Sequence, residues 1–168
     1  FNQINILFEE GVANNGQEWL FDNLTISGST VDPCIGVDPI LTTLDDFECQ
    51  RNITYGAGLN ELAVILNPDL NNDNPSERVG EYSDPADEFS ALVLDFGGPI
   101  NLTTFNQFKI KIWSPVAVPL VFKLEGGTSA PVEVNEAVST TNAWVQYEID
   151  LSPYANENHT KLAIFFNF

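Results

Sequence analysis

Apolar and polar positions alternate with a period of two along most of the chain, in short runs that stop at Gly, Pro, Asn or Asp. In residues 107–114, Phe108, Ile110 and Ile112 fall on one side of an extended strand, and Lys109, Lys111 and Trp113 on the other. In 120–125 the same rule points Leu120, Phe122 and Leu124 inward, with Val121, Lys123 and Glu125 outward. In 144–150 it points Val145, Tyr147 and Ile149 inward, with Trp144, Gln146, Glu148 and Asp150 outward. Similar runs predict strands at 4–8, 19–26, 62–67, 77–82, 90–96, 132–136 and 161–168. No run carries the period of an amphipathic helix. Strands spaced by about ten residues predict an all-β fold, an antiparallel β-sandwich or jelly roll. Gly97-Gly98-Pro99 and Glu125-Gly126-Gly127 read as turns, and Asp38-Pro39, Asn67-Pro68, Asn74-Pro75 and Asp84-Pro85 open loops.

One internal similarity bears on organisation. Ile4-Asn5-Ile6-Leu7-Phe8-Glu9 matches Leu162-Ala163-Ile164-Phe165-Phe166-Asn167 in pattern, which suggests an array of repeats cut out of phase, although chance likeness between strands explains six positions equally well. The expected organisation is therefore terminal strands at 1–26, from the end of a preceding repeat, a cysteine-containing linker loop at 27–45, and a sandwich module at 46–168. Strand exchange with neighbouring copies follows as one consequence of that reading.

Composition narrows the partners. A net charge of −18 on 168 residues repels nucleic acid and anionic membrane, and neither is expected as a partner. It would suit a bound cation such as calcium. No apolar run approaches the roughly 18 residues that span a bilayer, and any targeting segment is expected to lie outside the chain as given. Cys34 and Cys49 enclose a loop with Pro, Gly and Asp, and read as a disulfide contributing about 3 kcal/mol. Two buried free thiols are the alternative. A disulfide implies an oxidising compartment, and hence an extracellular or cell-surface location.

Carbohydrate recognition needs flat aromatic faces beside planar polar groups. The outward positions of 107–114, 120–125 and 144–150 supply these as Trp113, Trp144, Lys109, Lys111, Lys123, Glu125 and Gln146. Four of the six basic residues in this acidic chain lie on the C-terminal strands, namely Lys109, Lys111, Lys123 and Lys161. The competing reading is a solvated ladder of Lys–Glu cross-strand pairs, each contributing well under about 1 kcal/mol. Residues 69–77 place oxygen donors at alternate positions, but Asn74 and Gly80 stand where an EF-hand needs Gly and Glu, so an irregular calcium loop or an acidic turn remains. With His159 as the sole histidine, no nucleophilic triad is readable, and the chain is expected not to be an enzyme.

Several segments also carry a family likeness. Asp45-Asp46-Phe47-Glu48 is similar to the opening strand of jelly-roll carbohydrate-binding modules of the family 4, 16 and 22 kind, and Trp19-Leu20-Phe21-Asp22-Asn23-Leu24 to their closing strand. Ala63-Val64-Ile65-Leu66-Asn67-Pro68-Asp69, followed by Asn74-Pro75-Ser76-Glu77-Arg78-Val79, resembles modules attached to secreted Bacteroidetes glycan-degrading enzymes. The strands at 108–115 and 122–125 look like others of that group. The likeness covers residues 46–168 and the strand at 19–26; the chain departs from it in the cysteine loop and in having no closing strand after Phe168. It implies a sheet face that binds a β-glucan-like polysaccharide, and a structural calcium served by Glu48 and Asp22, with Asp150 a further candidate. An adhesin or fibre repeat assembling head to tail is the second expectation.

Overall fold

A computed structural model of the protein describes residues 32–85 and 89–167; the expected strands at 4–8 and 19–26, with Asp22, lie outside the described residues. The chain forms two compact units, Phe1–Asp32 and Pro33–Phe168. From Pro33 onward, the cysteine loop falls in the unit that carries the strands described below.

That unit is all-β and antiparallel. Its strands are β1 Thr54–Ala57, β2 Leu62–Leu66, β3 Arg78–Tyr82, β4 Leu92–Asp95, β5 Gln107–Ile112, β6 Val118–Glu125, β7 Val132–Val138, β8 Val145–Asp150 and β9 Lys161–Phe166, with a short 3-10 turn at Ser152–Tyr154. One sheet has the order β1-β4-β9-β6-β7, while β2 pairs with β3 and β5 with β8 as two-stranded ribbons. Alternation explains the layering. Leu120, Phe122 and Leu124 of β6, with Leu162 and Ile164 of β9 and Leu92 and Leu94 of β4, meet Ile112 of β5 and Ile149 of β8 in the main core. Phe108 stacks at 5.9 Å on Phe122, and Tyr82 at 5.1 Å on Phe166, so both ribbons cover the same face of the large sheet. Burying a side chain the size of Phe122 contributes about 1.5–3 kcal/mol, so this layer contact stabilises the unit.

The opposite face of the large sheet is apolar as well. Val121, Ala163 and Phe165 form a second buried cluster, with Ala91 and Val93 packed against it. Val121, expected to face outward into solvent, is therefore buried, because β9 carries apolar residues on both of its faces.

The segment at 45–48, expected as an opening strand, is a tight turn. Asp45 Oδ1 accepts the Phe47 N–H at 2.7 Å, and Asp46 Oδ1 accepts the N–H groups of Glu48 and Gln50, both at 2.8 Å. Short acidic side chains thus take the backbone donors that a sheet ladder would need. Phe47 adopts a positive φ of 59°, and its ring lies where a Cβ on Gly80 would stand, so β3 needs glycine there. Cys34 and Cys49 are disulfide-bonded, closing this loop.

Candidate functional site

The ribbons β2–β3 and β5–β8 meet through the long hairpin loop at 67–77. Asn67 organises that loop: its Nδ2 donates to the carbonyls of Asn74 (3.1 Å) and Ser76 (2.9 Å), and its Oδ1 accepts the Asp69 N–H at 2.9 Å. Asn71 Oδ1 accepts from the N–H groups of Asp73 (2.8 Å) and Asn74 (3.1 Å). Local side-chain acceptors of this kind replace the ladder bonds that an irregular loop lacks. Trp144, just before β8, then fastens the two ribbons together. Its Nε1 donates to Asn67 Oδ1 and to the Asp69 carbonyl, both at 3.1 Å. Lys111 Nζ donates to the Asp73 carbonyl from β5.

Between these contacts lies an open groove of about 330 Å³, lined by Asn72, Asp73, Lys111, Trp144 and Gln146. Its volume is at the lower end of the roughly 300–1,000 Å³ of small-ligand clefts. Trp144 has its only polar atom committed to the loop, so it offers the groove carbon and π surface. Lys111 has three donors and spends one on Asp73. Gln146 donates Nε2 to Glu148 Oε1 at 2.7 Å, which leaves its carbonyl oxygen for the groove.

Of the side chains expected on one binding face, the structure brings together Trp144, Lys111 and Gln146. It separates the others. Lys123 and Glu125 lie on the far face of the large sheet, Lys123 Nζ being 6.0 Å from the Phe165 ring centre, while Lys109 and Lys111 face outward from β5. The single polar face across three strands is therefore corrected: β6 belongs to a different sheet from β5 and β8, so its outward residues point to the opposite side of the sandwich. Trp113 is half-buried, its Nε1 has no hydrogen-bond partner, and it does not line the groove.

Ion pairing accounts for three of the four clustered lysines. Lys109 pairs with Glu148 at 2.9 Å, Lys123 with Glu125 and Glu133 at 3.7 and 3.8 Å, and Lys161 with Asp95 at 3.6 Å. The Lys109 bond holds the Glu148 carboxyl below the usual carboxylate range, with Gln146 adding to the effect. The Ser152 N–H does the same for Asp150, whose Oδ1 also accepts Gln107 Nε2 at 2.7 Å.

Of the residues assigned to calcium, Glu48 and Asp150 are each committed to backbone donors, while Asp22 lies outside the described residues. Glu48 Oε1 accepts the N–H groups of Glu77 (2.8 Å) and Arg78 (3.2 Å), and Asp150 binds its own turn. Among the described residues, no three His, Cys, Asp or Glu side chains come together in a way that could hold a metal ion. His159 is fully buried, its Nε2 2.6 Å from Glu157 Oε2 and its Nδ1 without a partner.

Two features escaped sequence reasoning. Asn72 and Asp73 line the groove, although the sequence showed them only as members of an oxygen-rich turn. Asn67 is the second: a partner 77 positions away leaves no mark in local periodicity. Among known proteins, the chain matches no family model, and no curated protein matches it significantly. No helix among the described residues is long and apolar enough to cross a membrane.

Proposed function

We propose that this protein is a non-catalytic, extracellular carbohydrate-binding module that holds a polysaccharide in the Trp144 groove. One observation carries the reading: an indole whose N–H is consumed by the loop lines an open groove together with a lysine, two amides and a carboxylate. Sugar rings have apolar C–H faces and hydroxyl rims, and this arrangement offers a surface for the first and hydrogen-bonding groups for the second. The disulfide fits an oxidising compartment. The likeness of several segments to jelly-roll carbohydrate-binding modules points the same way, toward a β-glucan-like ligand. Calcium belongs to this proposal only through that likeness.

Affinity electrophoresis against laminarin, mixed-linkage glucan, alginate and xylan tests it, with and without EDTA. Retardation by a glycan that is lost in Trp144→Ala and retained in Lys123→Ala supports the groove. Unretarded migration on all four gels contradicts it.

A second reading has an observation of its own. The cysteine loop exposes Ile35, Ile40 and Leu41 at 74, 54 and 85%. Aliphatic side chains held out on a cross-linked loop suit contact between modules, as in an adhesin or fibre repeat. Concentration-dependent sedimentation that Leu41→Ser abolishes would favour this reading.

A further inference from the structure

We infer that Glu48 is a positioning residue for the Trp144 groove, brought to its place by the disulfide-closed loop. The inference rests on the groove as the ligand site, and concerns what fixes its shape. Glu48 follows Phe47, whose ring is seated against Gly80 of β3, and precedes Cys49, which is bonded to Cys34. Both neighbours are therefore anchored, and the carboxylate between them has little freedom. Its Oε1 accepts the N–H groups of Glu77 and Arg78, where the hairpin loop joins β3.

From that point the contacts run unbroken to the groove. The Glu77 carbonyl accepts the Asn67 N–H at 2.9 Å. The Asn67 side chain spans the loop to Asn74 and Ser76, and receives the Trp144 indole on Oδ1. A carboxylate on one side of the loop and an indole on the other thus hold the same segment, and Asn72 and Asp73 at its tip line the groove. Charge-assisted bonds to backbone N–H groups are the stronger kind, which suits a strut of this sort. Glu48 is exposed, so water takes over its two donors when it is removed. The expected consequence is a looser loop in a folded protein.

The test is hydrogen exchange by NMR on the ligand-free chain. It reads the Glu77 and Arg78 amides and the Trp144 indole N–H. In Glu48→Ala all three exchange faster, by about three- to tenfold, the factor that one net hydrogen bond sets. In Glu48→Gln, which keeps an Oε1 acceptor, the rates return toward those of the parent. Val138→Ala, a core truncation in β7, lowers overall stability and leaves the Trp144 indole rate unchanged. A Trp144 indole that exchanges at the parent rate in Glu48→Ala overturns the inference, as does equal acceleration by Val138→Ala. Because no glycan is present, a failure here is separate from a failure of the sugar-binding reading, which the gels above report.

Discussion

Replacing both cysteines, Cys34→Ser with Cys49→Ser, isolates what the cross-link contributes. The bond closes a separation of 15 residues. In the chain-entropy model, opening such a loop costs about 3 kcal/mol by freeing the unfolded chain. The folded loop has other restraints. Gln50, nearly fully buried, accepts the Ile40 N–H on Oε1 at 2.6 Å and donates Nε2 to the Asp38 carbonyl at 3.1 Å. Asn52 Nδ2 donates to the Thr43 carbonyl at 2.9 Å, and Asp45 pairs with Arg51 at 2.8 Å. Its native shape should therefore survive the loss of the bond, and the effect should fall on the unfolded state. Urea unfolding followed by tryptophan fluorescence should show a loss of about 3 kcal/mol, with a steeper m-value because the uncross-linked chain exposes more surface. The matching fall in Tm is about 6–12 °C. A loss under about 1 kcal/mol would refute the entropic account. Rapid exchange of the Gln50 and Asn52 amides in the folded variant would refute the claim that hydrogen bonds alone preserve the loop.

Three further outcomes follow from particular contacts. Asn158 Oδ1 accepts the N–H groups of Thr128 (2.9 Å) and Ser129 (3.1 Å), and its Nδ2 and backbone N–H donate to the hydroxyls of Thr128 (2.9 Å) and Ser129 (3.1 Å), clamping the glycine turn between β6 and β7; Asn158→Ala should cost about 1–3 kcal/mol in chemical denaturation. Burial raises the Tyr55 phenol well above its ordinary value of 10.0, with the Asp45 carboxylate adding to the shift, and burial also raises Tyr82 and Tyr147. The folded state then holds protons that the unfolded state has lost, so the stability these phenols contribute is complete below about pH 10 and falls as pH rises above it. Ultraviolet titration should show Tyr55 ionising last, and Asp45→Asn should bring it earlier. Phe122→Ala, at the centre of the core, should cost about 3–5 kcal/mol in the same denaturation assay.

Much of the fold was legible because one rule, period-two alternation, operates within each strand. It placed β2 to β9 and put Phe108, Ile110, Ile112, Leu120, Phe122 and Leu124 in the core, and the loop composition around Cys34 and Cys49 pointed to their disulfide. β1 escaped it: Tyr55-Gly56-Ala57-Gly58 has no apolar rhythm, and the strand exists by pairing with β4 across an irregularity between Tyr55 and Ala57. Sheet membership escaped it as well. Alternation says which side of a strand a residue occupies, but not which strands lie side by side, and Lys123 was placed beside Lys109 for that reason. The lysine concentration proved to be mostly a cross-strand ladder. The groove came half from the sequence, through Trp144, Lys111 and Gln146, and half from a hairpin loop whose docking depends on long-range hydrogen bonds.

The central claim is that the groove beside Trp144 binds polysaccharide. Affinity electrophoresis of the parent chain and Trp144→Ala, run side by side on laminarin and mixed-linkage glucan, tests it most directly. The account predicts retardation of the parent on one of these gels and free migration of the variant. Equal migration of the two proteins on every gel, both retarded or neither, would contradict it.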